Sequence, residues 1–234
     1  MISVCMATKN GAKYIGEQID SILSQLAADD ELIISDDHST DETRTIIAGY
    51  NDIRIKLFIN TNVNGVVRNF ENALRQASGE IIFLADQDDV WMSDKISTMK
   101  RELLSHDVVI SDCSVANDAL EIFQPSFFAM NNSGKGIIRN IIKNSYMGCC
   151  MAFTRKVLEK ALPFPSNIPM HDMWIGLIGE MNYDVTFLDM PLVYYRRHQR
   201  NASSSGTASN ASFMQRLFWR FTILRNLIAH KLYA

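Results

Sequence analysis

The sequence lacks the glycine-rich loops that commonly hold phosphate groups in nucleotide-binding proteins. Glycine accounts for only 11 of the 234 residues. Gly11 is not part of a G-x-G-x-x-G fingerprint, and the stretch Ser133-Gly134-Lys135-Gly136 has neither the P-loop spacing nor the Ser or Thr that should follow it. If the chain binds a phosphate-bearing ligand, a metal ion must take the place of the missing glycine loop.

Cysteine is scarce, and signals for secretion or membrane insertion are missing. The four cysteines have no metal-finger spacing, and the adjacent pair Cys149-Cys150 lies in an apolar run, so buried free thiols are favoured over disulfides. The sequence begins directly in a strand pattern with no basic segment before it, and no uncharged stretch is long enough to span a bilayer. These features predict a cytoplasmic protein with neither a secretion signal nor a membrane span.

Acidic residues are absent after Asp189. Residues 190–234 carry a formal charge of +7, whereas residues 1–189 carry −10. The Ser-rich stretch 201–212 predicts a flexible linker, and residues 213–234 predict a basic amphipathic helix. Such a helix suits an anionic membrane surface, which would make the protein peripheral on the inner face of the cell membrane. Docking on the core or on a second subunit is an equally good alternative, and the oligomeric state stays open.

Strands and helices alternate over roughly the first hundred residues. This alternation requires parallel pairing with right-handed crossovers, so the predicted fold class is α/β with a doubly wound, mostly parallel sheet. The apolar runs that predict strands in this half are residues 2–7, 31–36, 54–59 and 81–86. In the less regular second half, a helix is expected from about Asp172, and short strands are expected at residues 108–110, 149–153, 185–188 and 192–195.

Two clusters of acidic residues follow predicted strands. Asp86-Gln87-Asp88-Asp89 comes directly after one apolar run, and Asp36-Asp37 comes after another. Converging carboxylates need a cation or a hydrogen-bonding ligand, and open α/β sheets bind ligands beyond the carboxyl ends of their strands. One polar site is therefore predicted there, with a divalent metal that holds a phosphate as the simplest partner. The alternative for the first cluster is that Asp86 and Asp88 are turn residues and that Asp94 caps the next helix. After the second cluster, Ser39 and Glu42 have the spacing of a capping box that opens a helix.

Three ordered segments carry a resemblance to a known family. They are residues 3–11, SVCMATKNG, residues 34–41, ISDDHSTD, and residues 83–91, FLADQDDVW. Together they resemble the family 2 glycosyltransferases of the GT-A fold, and the acidic segment is most similar to bacterial rhamnosyltransferase-type members. The resemblance extends from residue 2 to about residue 201.

The resemblance implies one GT-A domain over residues 1–200, with a nucleotide-binding N-terminal half and an acceptor-binding C-terminal half. Members of the family transfer a sugar from a nucleotide-diphosphate sugar, with inversion at the anomeric carbon and with a divalent metal. The implied donor is UDP- or dTDP-linked, with rhamnose as one candidate sugar, and the implied cofactor is Mn²⁺ or Mg²⁺. The implied acceptor is a glycan or a polyprenyl-linked molecule of cell-surface polysaccharide synthesis, and no nucleic acid is expected as a partner.

The resemblance also gives roles to individual residues. Asp172 matches the catalytic base. The implied nucleotide-binding residues are Thr8, Asn10, Asp36, Asp37, Arg68, Asp86, Asp88 and Arg196. The implied metal ligands are Asp88, Asp89 and His198. The implied acceptor-binding residues are Gly148, Cys149, His171 and Trp174. Taken alone, Asp172 is better explained as an ordinary helix N-cap. A lone histidine is more often structural, but His198 beside three arginines at the end of a strand is unusual for a core residue.

Two other functions compete with glycosyl transfer. A sugar-nucleotide pyrophosphorylase also places acids in an α/β sheet, but it normally carries a glycine-rich N-terminal loop with a basic residue, and Thr8-Lys9-Asn10-Gly11 does not match one. A non-catalytic module that binds a sugar nucleotide or a membrane is the second rival. The presence of Asp172 together with the full acidic motif argues against such a module, and a turnover assay separates the two.

Overall fold

The structure is a computed structural model that describes residues 1–61, 63–198, 201 and 212–233. Four parallel strands and the helices between them form the N-terminal part of the fold. The elements are β1 (Ile2–Thr8), α1 (Ile15–Leu23), β2 (Glu31–Asp36), α2 (Thr43–Ala48), β3 (Ile55–Ile59), α3 (Val66–Gln76) and β4 (Ile81–Asp86). The central strand β1 pairs with β2 on one side and with β4 on the other, and β3 lies outside β2. β1 and β2 are buried along their whole length, which explains their continuous apolar pattern. The predicted α/β class is confirmed.

The second half extends the same sheet through antiparallel pairs. The elements are β5 (Val90–Trp91), α4 (Lys95–Glu102), β6 (Val108–Ala116), β7 (Ile122–Gln124), α5 (Phe127–Asn131), α6 (Ile137–Ile142), a 3-10 turn (Gly148–Cys150), β8 (Met151–Thr154), α7 (Arg155–Ala161), α8 (His171–Asn182), β9 (Val185–Arg196) and α9 (Phe213–Tyr233). β8 pairs antiparallel with both β4 and β6, whereas β6 and β9 are parallel. The sheet order is β3-β2-β1-β4-β8-β6-β9-β5, with β7 beside β6.

Several strand predictions differ from the structure; the strand expected at 149–153 begins only at Met151, after the 3-10 turn. The predicted strands 185–188 and 192–195 are one strand, β9, whose pairing with β6 shifts register where Leu188 and Pro191 lie opposite consecutive residues. The exposed residues Asp189 and Met190 fill that irregularity and break the apolar pattern. The strand expected at 108–110 continues to Ala116 as β6, whose polar residues Ser111, Asp112 and Ser114 are buried like its apolar ones.

Residues 213–234 were expected to form a helix after a linker. α9 covers Phe213–Tyr233. The proposed linker 201–212 lies almost wholly outside the described residues, since only Asn201 and Ser212 are described. Within the described part of the chain, no helix combines the length and the apolar character needed to cross a membrane.

Glu31, at the start of β2, joins three segments of the parallel half. Its carboxylate accepts hydrogen bonds from the hydroxyl of Ser3 in β1, from the ammonium of Lys56 in β3, and from the backbone N–H and hydroxyl of Ser78 before β4. Burial by itself would raise the pKa of Glu31, but these hydrogen bonds outweigh burial and lower the pKa to about 2. The ionised form of Glu31 therefore stabilises the folded state.

We expect Glu31→Gln to lower the free energy of unfolding at pH 7 by about 1.5–3 kcal/mol, the range for hydrogen bonds to a charged group. The folded pKa lies below the ordinary value of 4.5, so the contribution is present above that value and is lost as the pH falls from about 4.5 towards about 2. Urea unfolding at pH 7 and at lower pH measures the difference. Glu80→Gln, at an exposed glutamate next to β4, is the matched control. An equal loss of unfolding free energy in both variants would contradict the stabilising role of the Glu31 carboxylate.

Candidate active site

The carboxyl ends of β1, β2 and β4 open into one cavity of about 320 Å³. Parallel strands end at the same edge of a sheet, so the acids that follow β2 and β4 meet there. The residues that line the cavity are Ala7, Thr8, Lys9, Asp37, Gly65, Val66, Asn69, Asp86, Gln87, Asp88, Met147, Gly148, Cys149, Met170, His171, Asp172, Tyr195 and Asn201. Asp37, Asp86, Asp88 and Asp172 therefore share a single polar site.

Asp37 forms one end of this cavity. Its Oδ1 accepts a hydrogen bond from the side-chain amide of Asn60 at 2.8 Å, and its Oδ2 accepts from Lys9 Nζ at 3.0 Å and from the backbone N–H of Gly65 at 3.1 Å. Burial alone would raise the pKa of Asp37, but these donors outweigh burial and lower it. The side chain is thus a fixed anion at the edge of the cavity.

Asn69 on α3 is a second polar residue at this end, and sequence reasoning missed it. Its Nδ2 donates to the backbone carbonyl of Thr8 at 3.1 Å, whereas its Oδ1 is buried without a hydrogen-bond partner among the described residues. A buried acceptor without a donor costs free energy, so this oxygen is suited to a donor group on a ligand. The only signal in the sequence was a polar residue at a buried position of an amphipathic helix.

Gln87 connects the acidic loop to the end of β1. Its Oε1 accepts from the hydroxyl of Thr8 at 2.6 Å and from the backbone N–H of Lys9 at 2.9 Å, and its Nε2 donates to the carbonyl of Lys9. A Cβ atom at Gly11 would lie 2.1 Å from Gln87 Oε1, so a larger residue there would displace the Gln87 side chain from these hydrogen bonds. The sequence pattern treated Gln87 only as the spacer between two acids.

The acidic loop itself holds three carboxylates whose pKa values are all raised. Burial, followed by the charges of Asp88 and Asp172, raises the pKa of Asp86 to about 8. Burial also raises the pKa of Asp89, together with the charges of Asp88 and Asp86, and that of Asp88 despite the nearby His198. Asp89 Oδ2 is buried without a partner among the described residues. Such a loop gains stability when a cation binds.

Two sets of side chains are candidates to hold a divalent cation. At the open edge, Asp88 Oδ2 is hydrogen-bonded to His198 Nε2 at 2.9 Å and accepts a hydrogen bond from Asn201 Nδ2 at 3.2 Å, so Asp88 and His198 would be the ligands. Deeper in the fold, one ligand atom from each of Asp86, Asp89 and Cys149 lies within 4.8 Å of the others. Mg²⁺ and Mn²⁺ prefer oxygen or imidazole ligands to a thiol, and they need room for a phosphate oxygen and water, so the open edge is the better fit.

Asp172 lies in the first turn of α8, at the other end of the cavity. Its Oδ1 accepts from the backbone N–H of Met173 at 2.6 Å, and its Oδ2 accepts from the backbone N–H of Gly148 at 3.2 Å. Burial raises the pKa of Asp172 to about 6. The N-cap position belongs to Met170, so the alternative that Asp172 is an ordinary N-cap is wrong.

His171 lies between Asp172 and the wall of the cavity. Its ring stacks on Phe70 with 3.8 Å between centroids, and neither ring nitrogen has a hydrogen-bond partner among the described residues. Burial lowers the pKa of His171 to about 3, so the imidazole is neutral at physiological pH. A Cβ at Gly148 would lie 2.9 Å from its Nε2, and glycine at that position therefore leaves room for the ring.

Three residues predicted to contact ligands have other partners in the structure. Asp36 is fully buried, and its carboxylate accepts from the backbone N–H and hydroxyl of Ser39. Arg68 pairs with Glu71 and donates to the carbonyls of Phe164 and Pro165, away from the cavity. Trp174 is fully buried, and its Nε1 donates to the carbonyl of Ala161 at 2.9 Å, so the predicted acceptor contact is replaced by core packing.

Asn10 and Arg196 also lie outside the cavity lining. Asn10 adopts a positive φ of 51° and accepts from the backbone N–H of Thr40 at 2.8 Å, which shapes the loop after β1. Arg196 is almost fully buried behind the acidic loop, where its Nε donates to the carbonyl of Asp88 at 3.0 Å and its backbone N–H donates to Asp89 Oδ1 at 3.0 Å. Both residues therefore hold loops of the site in place without lining the cavity.

The predicted helix caps are wrong as well. The Ser39 side chain is hydrogen-bonded to Asp36, and α2 begins after Glu42 without a side-chain cap, so the capping-box spacing does not form the motif. Asp94 precedes α4, but its side chain makes no capping hydrogen bond. Local spacing was misleading here because Ser39 is held by the carboxylate of Asp36 in the same loop.

Comparison with known sequences decides the family. The sequence model described as Glycosyl transferase family 2 matches residues 3–162, which is more than half of the chain. The chain belongs to glycosyltransferase family 2. The predicted family is therefore confirmed, and with it the activity class of a glycosyltransferase.

Curated relatives of this glycosyltransferase act on different sugars. The UDP-Glc:alpha-D-GlcNAc-diphosphoundecaprenol beta-1,3-glucosyltransferase WfaP of Escherichia coli is 37% identical over 209 residues, 88% of this chain and 80% of the relative. The dTDP-rhamnosyl transferase RfbG of Shigella flexneri is 27% identical over 250 residues, 94% of this chain and 79% of the relative. Both a glucosyl- and a rhamnosyltransferase are thus similar to the chain.

Solved structures show the same fold. S. aureus TarS residues 1–349, in complex with UDP-GlcNAc, superposes with a TM-score of 0.74 at 22% identity, over 100% of this chain and 67% of that one. The mannosyltransferase PcManGT from Pyrobaculum calidifontis, in complex with GDP-Man and Mn²⁺, has a TM-score of 0.64 at 24% identity, over 86% of this chain and 58% of that one. The expected GT-A fold is confirmed.

Proposed function

We propose that this glycosyltransferase moves a sugar, with inversion, from a UDP- or dTDP-linked donor to a glycan or polyprenyl-linked acceptor in cell-surface polysaccharide synthesis. The single observation that carries this proposal is the shared cavity, with Asp37 at one end, the acidic loop in the middle and Asp172 at the other. The undecaprenol-linked substrate in the name of the relative WfaP supports a lipid-linked acceptor. Glucose and rhamnose are both candidate sugars, and residues 1–200 are the proposed catalytic unit.

The base of the donor is proposed to lie at the Asp37 end. A uracil or thymine imide N–H is a donor that a carboxylate accepts well, and the pKa of Asp37 keeps this carboxylate ionised. The unpartnered Oδ1 of Asn69 lies on the same side and would accept a second hydrogen from the nucleoside. Thr8 belongs to the same proposed nucleotide site.

We expect UDP and dTDP to bind more tightly than GDP, and Asp37→Ala to narrow the difference. A hydrogen bond to a charged group is worth about 1.5–3 kcal/mol, which corresponds to roughly a tenfold to hundredfold loss of UDP affinity. Titration calorimetry in the presence of Mn²⁺ measures the affinities for UDP, dTDP and GDP. Asp29→Asn, at an exposed aspartate before β2, is the control, and equal affinities of the wild type for UDP and GDP would refute base reading by Asp37.

Asp88 and His198 are the proposed metal ligands, with Asp89 behind them. Asp88 is open to the cavity, and His198 is held in place by stacking on Tyr14 with 4.7 Å between ring centroids. A bound Mn²⁺ or Mg²⁺ supplies positive charge that stabilises the departing diphosphate. The role of the chain is to hold the carboxylates together: Arg196 fixes Asp89 through its backbone N–H and fixes the carbonyl of Asp88 through its guanidinium.

Nucleotide-diphosphate binding should depend on the metal, because no glycine loop holds the phosphates. We expect Asp88→Asn and His198→Ala each to weaken Mn²⁺ affinity in the presence of UDP about tenfold or more. Cys149→Ala is the matched control, since the Cys149 thiol belongs to the deeper arrangement and alanine offers no ligand atom. Calorimetry with and without chelator measures the affinities for Mn²⁺ and for UDP. Equal UDP affinity in chelator and in manganese would refute the metal site, and a loss confined to Cys149→Ala would move it to the deeper position.

Asp172 is the proposed general base. The acceptor hydroxyl gives its proton to the Asp172 carboxylate as its oxygen attacks the anomeric carbon from the face opposite the diphosphate, so the C–O bond to the acceptor forms as the bond to the diphosphate breaks. The backbone N–H groups of Gly148 and Met173 fix the carboxylate. Its pKa of about 6 leaves it ionised at neutral pH and more basic than an ordinary aspartate. Gly148, Cys149 and the neutral His171 line the adjoining acceptor side.

We expect Asp172→Asn to lower turnover by about a hundredfold to ten-thousandfold with little change in donor affinity. Wild-type turnover should fall as the pH drops through about 6, because the protonated carboxyl cannot accept a proton. Steady-state kinetics and NMR of the product anomer test both points. Asp184→Asn, at an exposed aspartate after α8, is the control. A retained product or near-normal turnover of Asp172→Asn rules out this role.

A further inference from the structure

One side of α9 docks on the catalytic domain. Ile223 and Leu227 are buried, Asn226 Nδ2 donates to Asn167 Oδ1 at 2.9 Å, and the His230 ring is hydrogen-bonded to the carbonyl of Lys160 at 2.8 Å. Asn167 belongs to the segment that leads into α8, whose first turn carries Asp172. The helix is therefore held against the acceptor half of the domain.

The other side of α9 exposes large apolar side chains. Phe218 is 63% exposed and Phe221 is 64% exposed. The further exposed apolar residues of this helix are Met214, Leu217, Trp219, Leu224, Ile228 and Leu232. So many exposed large apolar side chains on one helix mark an interaction site rather than ordinary surface.

A second helix continues this surface. α6 packs beside α9, where Arg220 donates a hydrogen bond to the carbonyl of Ile142 at 2.6 Å. Ile138 and Ile142 of α6 are 76% and 60% exposed. The exposed residues of the two helices form one surface, called the α6–α9 face below, although the helices lie far apart in the sequence.

Charge identifies the partner of this face. The sequence has no Asp or Glu between residues 122 and 158, or after Asp189, so both helices come from acid-free segments. Their basic residues are Arg139, Arg216, Arg220, Arg225 and Lys231, and Lys143 follows α6 directly. In a symmetric dimer through this face, the same positive surface would meet itself, which is unfavourable. An anionic surface that accepts apolar side chains complements it instead.

We propose that the α6–α9 face lies on an anionic phospholipid bilayer. The apolar side chains enter the boundary between headgroups and acyl chains, and the arginines and lysines contact the lipid phosphates. The contact of α9 with the segment before α8 then brings the Asp172 end of the cavity close to the lipid surface. This surface proposal goes beyond the assigned reaction and does not depend on the donor, the metal or the acceptor.

Co-sedimentation of the full chain with vesicles tests the proposal. The protein should bind vesicles that contain phosphatidylglycerol, should bind pure phosphatidylcholine vesicles much less, and should be released as salt rises. Phe218→Ser with Phe221→Ser should lower the partition coefficient about tenfold or more. Arg216→Gln and Arg225→Gln should each lower it about fivefold. Ile138→Ser should lower it too, which a membrane helix formed by α9 alone does not predict.

Matched controls lie elsewhere on the surface. Ile53 and Leu104 are 93% and 85% exposed, so Ile53→Ser with Leu104→Ser removes comparable apolar area outside the face. Lys100→Gln with Arg101→Gln removes two exposed charges next to the end of α4. Neither pair should change vesicle binding. Point variants are preferred to deletion of α9, because deletion would uncover the domain surface that packs against Ile223 and Leu227.

Three results would overturn the proposal. The first is equal binding to neutral and anionic vesicles, and the second is wild-type binding by the Phe218 and Phe221 variant. The third is a wild-type dimer in sedimentation equilibrium that is lost in the same variant, together with no binding of the wild-type protein to vesicles. That result would assign the face to a second copy of the chain. UDP affinity measured on the same samples should be unchanged in every variant. Loss of UDP binding by the wild type would count against the proposed function and leave the vesicle result standing.

Discussion

The structure depends on a concentration of negative charge at the carboxyl ends of its parallel strands. Three carboxylates of one loop lie side by side, and their raised pKa values show that the protein alone does not fully compensate their charge. Part of the compensation comes from residues more than a hundred positions later. Arg196 and His198 at the end of β9 contact Asp88 and Asp89, so the acidic loop fastens the two halves of the chain to each other.

A buried lysine provides a second compensation. Lys95 of α4 is fully buried, its Nζ lies 4.7 Å from the ring centroid of Trp91, and it donates to the carbonyl of Cys149 at 2.7 Å. Burial lowers its pKa, while nearby thiol and carboxyl groups, Asp89 among them, oppose that change. The same 3-10 turn presents the N–H of Gly148 to Asp172. One short turn therefore connects the buried lysine with the carboxylate at the acceptor end, which explains why small residues occupy it.

The polar groups at the two ends of the cavity are held in different charge states. At one end, donors hold Asp37 as an anion with a lowered pKa. At the other end, burial keeps His171 neutral and makes Asp172 a stronger base than an exposed aspartate. Some of the buried polar atoms that lack a partner among the described residues, Asn69 Oδ1, Asp89 Oδ2 and both nitrogens of His171, lie in or next to this cavity, whereas those of Trp91, Ser111, Tyr146 and Thr154 lie outside its lining. A buried polar atom costs free energy unless a partner satisfies it, so the atoms at the cavity are suited to a ligand.

The sequence by itself indicated the family through its ordered motifs, and it determined the α/β class and the parallel half because buried parallel strands and their helices have local periods that a sequence displays. It also indicated Asp37, Asp86 and Asp88, since acids at strand ends are visible as motifs, whereas Asp172 was singled out only by the resemblance to the family. Only the tertiary structure separated residues that line the cavity from those that support it. The resemblance assigns ligand contacts to Asp36, Arg68 and Trp174, yet their side chains bind partners within the protein. Asn69, Gln87 and Tyr14 matter through contacts with residues distant in the chain, and α6 joins α9 only in space. Such contacts depend on which way each side chain points after the whole sheet has assembled, and no local pattern encodes that direction.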